Sequence, residues 1–404
     1  MAASLLIISS THLCRNPRAY KEAVTLGRTG YVVTVLTVSN HAPSEHLDRE
    51  LLAGAPFRRV AIDHLARQGL VARRAWIDRT MTRLTRMATA RLHFESPSAL
   101  GPARRLLAAA RRLPADLTIV HCEAPAWVGL QLLGEGRRVA ADFEDWYSED
   151  LLPADRRHRP LALLRKVEQR LLHRASYVST TSQAMAAGLH ARYGGNPPAV
   201  IRNVFPLPPP PRRRADQPPI FVWLSQTVGP GRGLEAFLDA WATLPDPPKV
   251  RLLGRVSSEY RAALLARVPA GRHRALRFDP PLPPATLPAY LAEADIGLAL
   301  EPRHPPSRDL TASNKIFHYL GAGLAVLATP TVGQCEVFAA APGIGWLDDF
   351  SDRSTSSALL GRICETREGL CRAQAQARLS AETVFCWEKE SPRLLELVRT
   401  ALSA

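Results

Sequence analysis

Two stretches in the second half of the chain carry the residue types that hold a phosphate. One is Ser313-Asn-Lys-Ile-Phe-His-Tyr-Leu-Gly-Ala-Gly-Leu-Ala-Val-Leu-Ala-Thr329, which reads as a polar loop, a short helix, and a turn through Gly321 and Gly323 into a buried strand. Ser313 is a good N-cap, and the free N–H groups and positive dipole end of a helix start make an anion site. Lys315 sits in the first turn, where the dipole alone disfavours a cation, and the whole chain has only five lysines. A bound phosphate explains a lysine there better than helix stability does. The other stretch is Ser225-Gln-Thr-Val-Gly-Pro-Gly-Arg-Gly-Leu-Glu. Gly229, Gly231 and Gly233 let backbone approach a ligand closely, and Arg232 can fork onto phosphate oxygens. Two loops with one cation each fit a diphosphate.

The first half offers other groups. His121 and Glu123, in His121-Cys-Glu-Ala-Pro, follow an apolar strand and are expected to open onto a ligand, orienting a hydroxyl or handling its proton. A histidine at a strand end is also commonly a packed, hydrogen-bonded residue. Asp142-Phe-Glu-Asp-Trp-Tyr-Ser-Glu-Asp150 is the densest acidic cluster in a basic chain. A divalent cation of the Asp-x-Asp kind is one reading of it. Two cations already available to a diphosphate argue against that, so no metal and no cofactor is expected. No pair of carboxylates is placed for hydrolysis through a covalent intermediate.

The elements that must position these groups alternate. Leu5–Ser9, Tyr31–Thr37, Leu117–Val120, Arg138–Asp142 and Ser176–Thr180 read as short buried strands, each followed by helical pattern. Pro17 opens the first helix and Gly30 closes it. The Pro-rich run 206–219 cannot lie inside a helix or sheet and is expected to be an extended linker. A second series follows: Ile220–Ser225, Lys249–Gly254, Ala275–Phe278, Ile296–Leu300 and Ala325–Thr329. The expected fold is α/β, two Rossmann-like doubly wound parallel-sheet domains, residues 1–205 and 220–386, with a cleft at the carboxyl ends of the strands. The stretch 387–404 reads as a helix packing back on the first domain.

With 404 residues, 46% of them hydrophobic, the chain can bury two cores. No stretch is long and apolar enough to span a bilayer, and the first residues lack the basic start of a signal peptide. Six scattered cysteines without metal spacing read as reduced thiols, so the expected location is cytoplasmic. The net charge is +15, and residues 58–115 hold thirteen Arg against Asp63, Asp78 and Glu95. Arg79, Arg83 and Arg86 recur there at helical spacing, a basic face that suits the inner face of an anionic membrane or a phosphorylated acceptor, or is simply solvated. Nucleic acid is not expected, since the aromatic platforms for single strands are missing.

The pattern S-N-K-I-F-x-Y-L-x-A-G-L-A-V-L-A-T, followed by Gly333-Gln-Cys-Glu336, resembles the donor-binding region of glycosyltransferases of the GT-B fold, family 4 type. The resemblance extends over most of the chain. Arg15-Asn-Pro-Arg-Ala-Tyr-Lys-Glu-Ala looks like the family's first loop and helix, and Leu224-Ser-Gln-Thr-Val-Gly-Pro-Gly-Arg-Gly like its glycine loop. Thr180-Thr-Ser-Gln-Ala-Met with Ile201-Arg-Asn203, and Glu388 in the closing Trp-Glu, match in the same way. The resemblance implies transfer of a sugar from a nucleotide diphosphate with retention at the anomeric carbon. It puts the diphosphate on Arg232 and Lys315, flanked by Gly231, Gly233, Ser313 and Asn314, and Glu336 near the donor sugar. His318 stands where members commonly have a ribose-binding Glu, and a neutral imidazole can still bond a hydroxyl. Arg18, Asp142, Glu144 and Asp145 fall on the acceptor side, the acceptor being a glycan or lipid-linked hydroxyl. Two other readings use the same residues: a sugar-nucleotide epimerase, which needs acids around the donor sugar where Glu301, Asp309 and Glu336 are available, and a non-catalytic scaffold binding an anionic membrane or a partner.

Overall fold

The computed structural model describes residues 2–210 and 218–403; seven residues of the expected linker, 211–217, lie outside them. The chain divides into two compact units. The first comprises Met1–Ile201, Pro305–Ser307 and Ser391–Ala404, and the second Arg202–His304 and Arg308–Glu390.

The first unit holds a parallel sheet of seven strands: β1 Ser4–Ser9, β2 Val32–Ser39, β3 Arg58–Asp63, β4 Leu117–His121, β5 Val139–Phe143, β6 Val178–Thr180 and β7 Ala199–Val200. Their spatial order is β3-β2-β1-β4-β5-β6-β7. The chain thus starts in the middle of the sheet, runs to one edge, and returns past its start to build the other half, leaving a switch point between β1 and β4. Ser9 and His121, partners in register, end those two strands. The central strands are apolar on both faces: Leu5, Leu6, Ile7 and Ile8 of β1 and Ile119 and Val120 of β4 are at most 1% exposed, as strands covered by helices on both sides must be. Pro17 opens the helix Pro17–Arg28, and Gly30, at φ 96°, turns the chain out of it.

The second unit repeats the plan with six parallel strands: β8 Ile220–Val228, β9 Lys249–Val256, β10 Leu276–Asp279, β11 Ile296–Ala299, β12 Ala325–Ala328 and β13 Gly345–Leu347. Their order is β10-β9-β8-β11-β12-β13, so the switch point lies between β8 and β11. Phe221, Trp223, Phe237, Trp241, Leu252, Leu298 and Leu327 belong to one core here. Gly297 of β11 is glycine because the Tyr319 ring lies on it: a Cβ would sit 2.1 Å from the ring. Two α/β doubly wound units, Rossmann-like in each case, are therefore present. Among the described residues no helix is long and apolar enough to cross a membrane, and all six cysteines are free.

Candidate functional site

In a doubly wound sheet the switch point opens a crevice at the carboxyl ends of the strands, and the second unit sets its cations there. β8 ends at Val228, and the glycine loop that follows carries Arg232. Gly231 and Gly233 have φ of 71° and 75°, left-handed values that L side chains seldom adopt. β11 ends at Ala299, and two residues later stands Glu301, 6% exposed. The helix Asn314–Gly321 buries Ile316, Phe317, Tyr319 and Leu320, and the same burial carries Lys315 inward.

Arg232 and Lys315 converge on Glu301. Arg232 donates from Nη1 to Oε2 at 3.2 Å, and Lys315 donates from Nζ to Oε1. Ser313 Oγ lies 3.4 Å from both Oε1 and the Lys315 ammonium. That ammonium is also 5.4 Å from the centre of the buried Trp223 ring. Thr329 fixes Glu301 from behind: its hydroxyl accepts from the Glu301 N–H at 2.8 Å and donates to the Glu301 carbonyl at 2.7 Å. Gln334 holds Thr329 in turn, donating to its carbonyl at 2.7 Å. Burial pushes the Glu301 carboxyl up, but Lys315 and then Arg232 outweigh it and hold the group below its usual range. Burial drives the Lys315 ammonium the other way; Glu301 opposes, Arg232 adds repulsion, and the net is a lowered pKa. Two cations thus share one buried carboxylate, Lys315 beside it in the interior and the Arg232 side chain 33% exposed, an arrangement with net positive charge that draws an anion.

Three details differ from expectation. Ser313 occupies the N-cap position, but its hydroxyl turns to Glu301 and Lys315 instead of capping the helix. The first-turn N–H groups are left uncapped by a side chain. His318 is stacked on Phe205, ring centres 3.6 Å apart and 20° from parallel. Glu301 was legible only as an available acid, yet it is the residue both cations meet; the signal was its place as the first charge after a buried run. Asn314 is exposed beside Lys315, and Glu336 is half-buried on the helix Val332–Ala340.

In the first unit His121 does not open outward as its strand-end position suggests. It is fully buried, with Nε2 3.1 Å from Glu22 and Nδ1 3.2 Å from Asp142. Arg18, also fully buried, clamps Asp142 through two bonds of 2.6 Å and donates a third to the Ile201 carbonyl. Ser179 adds another bond to Asp142 at 2.6 Å. Burial pulls the His121 pKa down, but Glu22 and Asp142 overcome it and raise it to about 10. Burial and then Arg18 lower Lys21 to about 7. Arg18, His121 and Asp142 therefore form an internal charge lattice. Three carboxylate and imidazole groups, Glu22, His121 and Asp142, lie close enough to hold a metal, but Arg18 already takes both oxygens of Asp142. Glu123 is paired with Arg159, and its carboxyl is raised by burial. Glu144 and Asp145 are half-buried in the loop after β5.

No family model and no curated protein matches the sequence. Solved structures do. A sucrose-phosphate synthase from Thermosynechococcus elongatus superposes with a TM-score of 0.73 at 15% identity, covering 99% of both chains. The chain carries the GT-B fold. Anabaena HepE in complex with UDP-glucose follows at a TM-score of 0.71 and 15% identity, over 98% of this chain and all of that one. A candidate UDP-N-acetylglucosamine 2-epimerase from Listeria monocytogenes gives 0.61 at 12% identity, over 99% and 96%. At such identities the GT-B likeness fixes the architecture, and the chemistry must come from the site.

Proposed function

We propose that the chain is a glycosyltransferase that takes a sugar from a nucleotide diphosphate and passes it to a hydroxyl of a glycan or lipid-linked acceptor, with retention. The observation that carries this reading is the meeting of Arg232 and Lys315 on one buried carboxylate beside the carboxyl ends of β8 and β11. As the bond from sugar to phosphate breaks, negative charge grows on the departing diphosphate. Arg232, Lys315 and the uncapped N-terminus of the helix Asn314–Gly321 stabilise that charge, and no metal is needed for it. His318 bonds the ribose, Glu336 stands toward the donor sugar, and acceptor recognition belongs to the first unit, on the loop bearing Glu144 and Asp145. His121 and Arg18 act there by holding the frame. The reaction is cytoplasmic in this reading.

HepE was solved with UDP-glucose, which makes a UDP-sugar the first donor to try. A screen of nucleotide sugars with glycan acceptors tests the proposal, with Arg232→Ala and Lys315→Ala as controls. Loss of one transition-state donor costs on the order of a hundredfold or more in turnover. Full turnover in either variant, with the fold intact, would refute the phosphate assignment. The epimerase-like neighbour supports a second reading, and product formed from the nucleotide sugar without any acceptor would favour it.

A further inference from the structure

The helix Gly69–Leu92 is inside out. At 3.6 residues per turn, Leu70, Ile77, Met81, Leu84 and Leu92 fall on one stripe. That stripe faces solvent, its members between 43% and 76% exposed. The packed face carries Ala75, Thr85 and Thr89, the two threonine hydroxyls turned back onto the carbonyls of Met81 and Thr85. Trp76, farther round the same helix beyond Arg73 and Arg91, and Phe94, just past its end, are exposed as well. A soluble surface seldom leaves so many large apolar side chains together uncovered.

The charges are sorted as well. The basic face expected from Arg79, Arg83 and Arg86 is partly tied down: Arg79 donates to the His64 carbonyl and Arg86 to that of Ala99. Arg73, Arg74, Arg83 and Arg91 are exposed and make no ion pair among the described residues. Arg73 and Arg91 line one flank of the stripe and Arg74 the other. The helix's one acid, Asp78, is turned inward to His64 at 2.9 Å and Arg105 at 2.6 Å.

We propose that this helix lies on an anionic bilayer surface, its apolar stripe entering the headgroup region and its free arginines meeting lipid phosphates. Six arginines forbid it from spanning the membrane, whereas an apolar stripe flanked by cations is what an interfacial helix requires. A second copy of the chain fits worse, because it would bring the unpaired guanidiniums of both copies together. The proposal does not depend on glycosyl transfer.

The full chain is sedimented with vesicles of phosphatidylcholine alone and of phosphatidylcholine mixed with phosphatidylglycerol, at low and high salt. Binding is expected to the mixed vesicles and to weaken with salt. The triple variant Ile77→Asp, Met81→Asp, Leu84→Asp should bind roughly tenfold less or weaker, with thermal unfolding and nucleoside diphosphate binding unchanged. If that variant misfolds, the corresponding alanine triple should still show a several-fold loss. Arg73→Ala, Arg74→Ala and Arg91→Ala together should erase the preference for phosphatidylglycerol. Absence of wild-type binding to the mixed vesicles, or equal binding by a folded triple variant, overturns the proposal. So does a dimer in light scattering that the aspartate triple dissociates, since the stripe would then be covered by a second copy.

Discussion

At the scale of single residues, Glu301 is the counterion of the two cations that the proposed donor needs. A diphosphate entering the site competes with the Glu301 carboxylate for the same two cations and meets its negative charge. Glu301→Gln should therefore tighten nucleoside diphosphate binding, or leave it unweakened, while lowering the stability of the ligand-free protein by about 1–3 kcal/mol as two cations lose their partner. Calorimetric titration beside urea unfolding reads both quantities, and a loss of affinity as deep as that of Arg232→Ala would make Glu301 a ligand contact instead. His121 makes a separate prediction. Its folded pKa of about 10 lies above the unfolded value, so its contribution is whole below about pH 6.5 and is lost as pH climbs through 10. Lys21, lowered to about 7, slopes oppositely over much of the same range and would mask the effect in the wild type alone. The difference between wild type and His121→Gln isolates it: about 3–5 kcal/mol at pH 6, shrinking toward pH 10 in urea unfolding. A difference that stays constant with pH would mean the imidazole is neutral in its lattice.

At the scale of elements, the helix Asn314–Gly321 places Lys315, and Gly297 of β11 places that helix. Tyr319, one turn beyond Lys315, lies flat enough on Gly297 to leave no room for a methyl group, and its hydroxyl reaches the Leu298 carbonyl at 3.1 Å. Gly297→Ala should cost the second unit about 1–3 kcal/mol through overpacking and weaken diphosphate binding with it. Lowered stability with undiminished affinity, measured by unfolding and titration on the same sample, would show that Lys315 is positioned some other way. The elements also show where sequence reading runs out. The strands β1, β2, β4, β5, β6, β8, β9, β10, β11 and β12 were legible as short runs bounded by turns. The strands that went unread are edge strands: β3, Arg58-Arg-Val-Ala-Ile-Asp, buries one residue, while β7 and β13 span two and three residues. These three have one bonded neighbour each and bury few residues, so their patterns are weak, whereas the edge strand β10 buries both its end residues and was legible. The same limit applies in the site. Arg232 and Lys315 were legible from local composition, whereas Glu301 acquires its meaning only once β11 pairs with β8, where Ile296 meets Phe221 from 75 residues earlier in the chain. Likewise, nothing local told that Ser313 would turn from its helix to that carboxylate.

At the scale of the whole molecule, each unit has a sheet and a core of its own, and the proposed donor binds residues of the second unit alone. Ligand that binds only the folded state stabilises what it binds, by about 2.7 kcal/mol at a hundred times its dissociation constant. Where each unit opens independently, that stabilisation belongs to the second one. Hydrogen exchange at saturating UDP should then slow the most protected amides of β8 and β11, Phe221, Val222 and Leu298, by up to about a hundredfold, while Ile7, Val35 and Val120 of the first unit stay near their free rates. Protection gained in the first unit alone, or nowhere, would take the phosphate site out of the second unit. A signature restricted to the second unit would tie the ligand to that unit, whose switch point between β8 and β11 is the place where the doubly wound topology and the two cations both direct an anion.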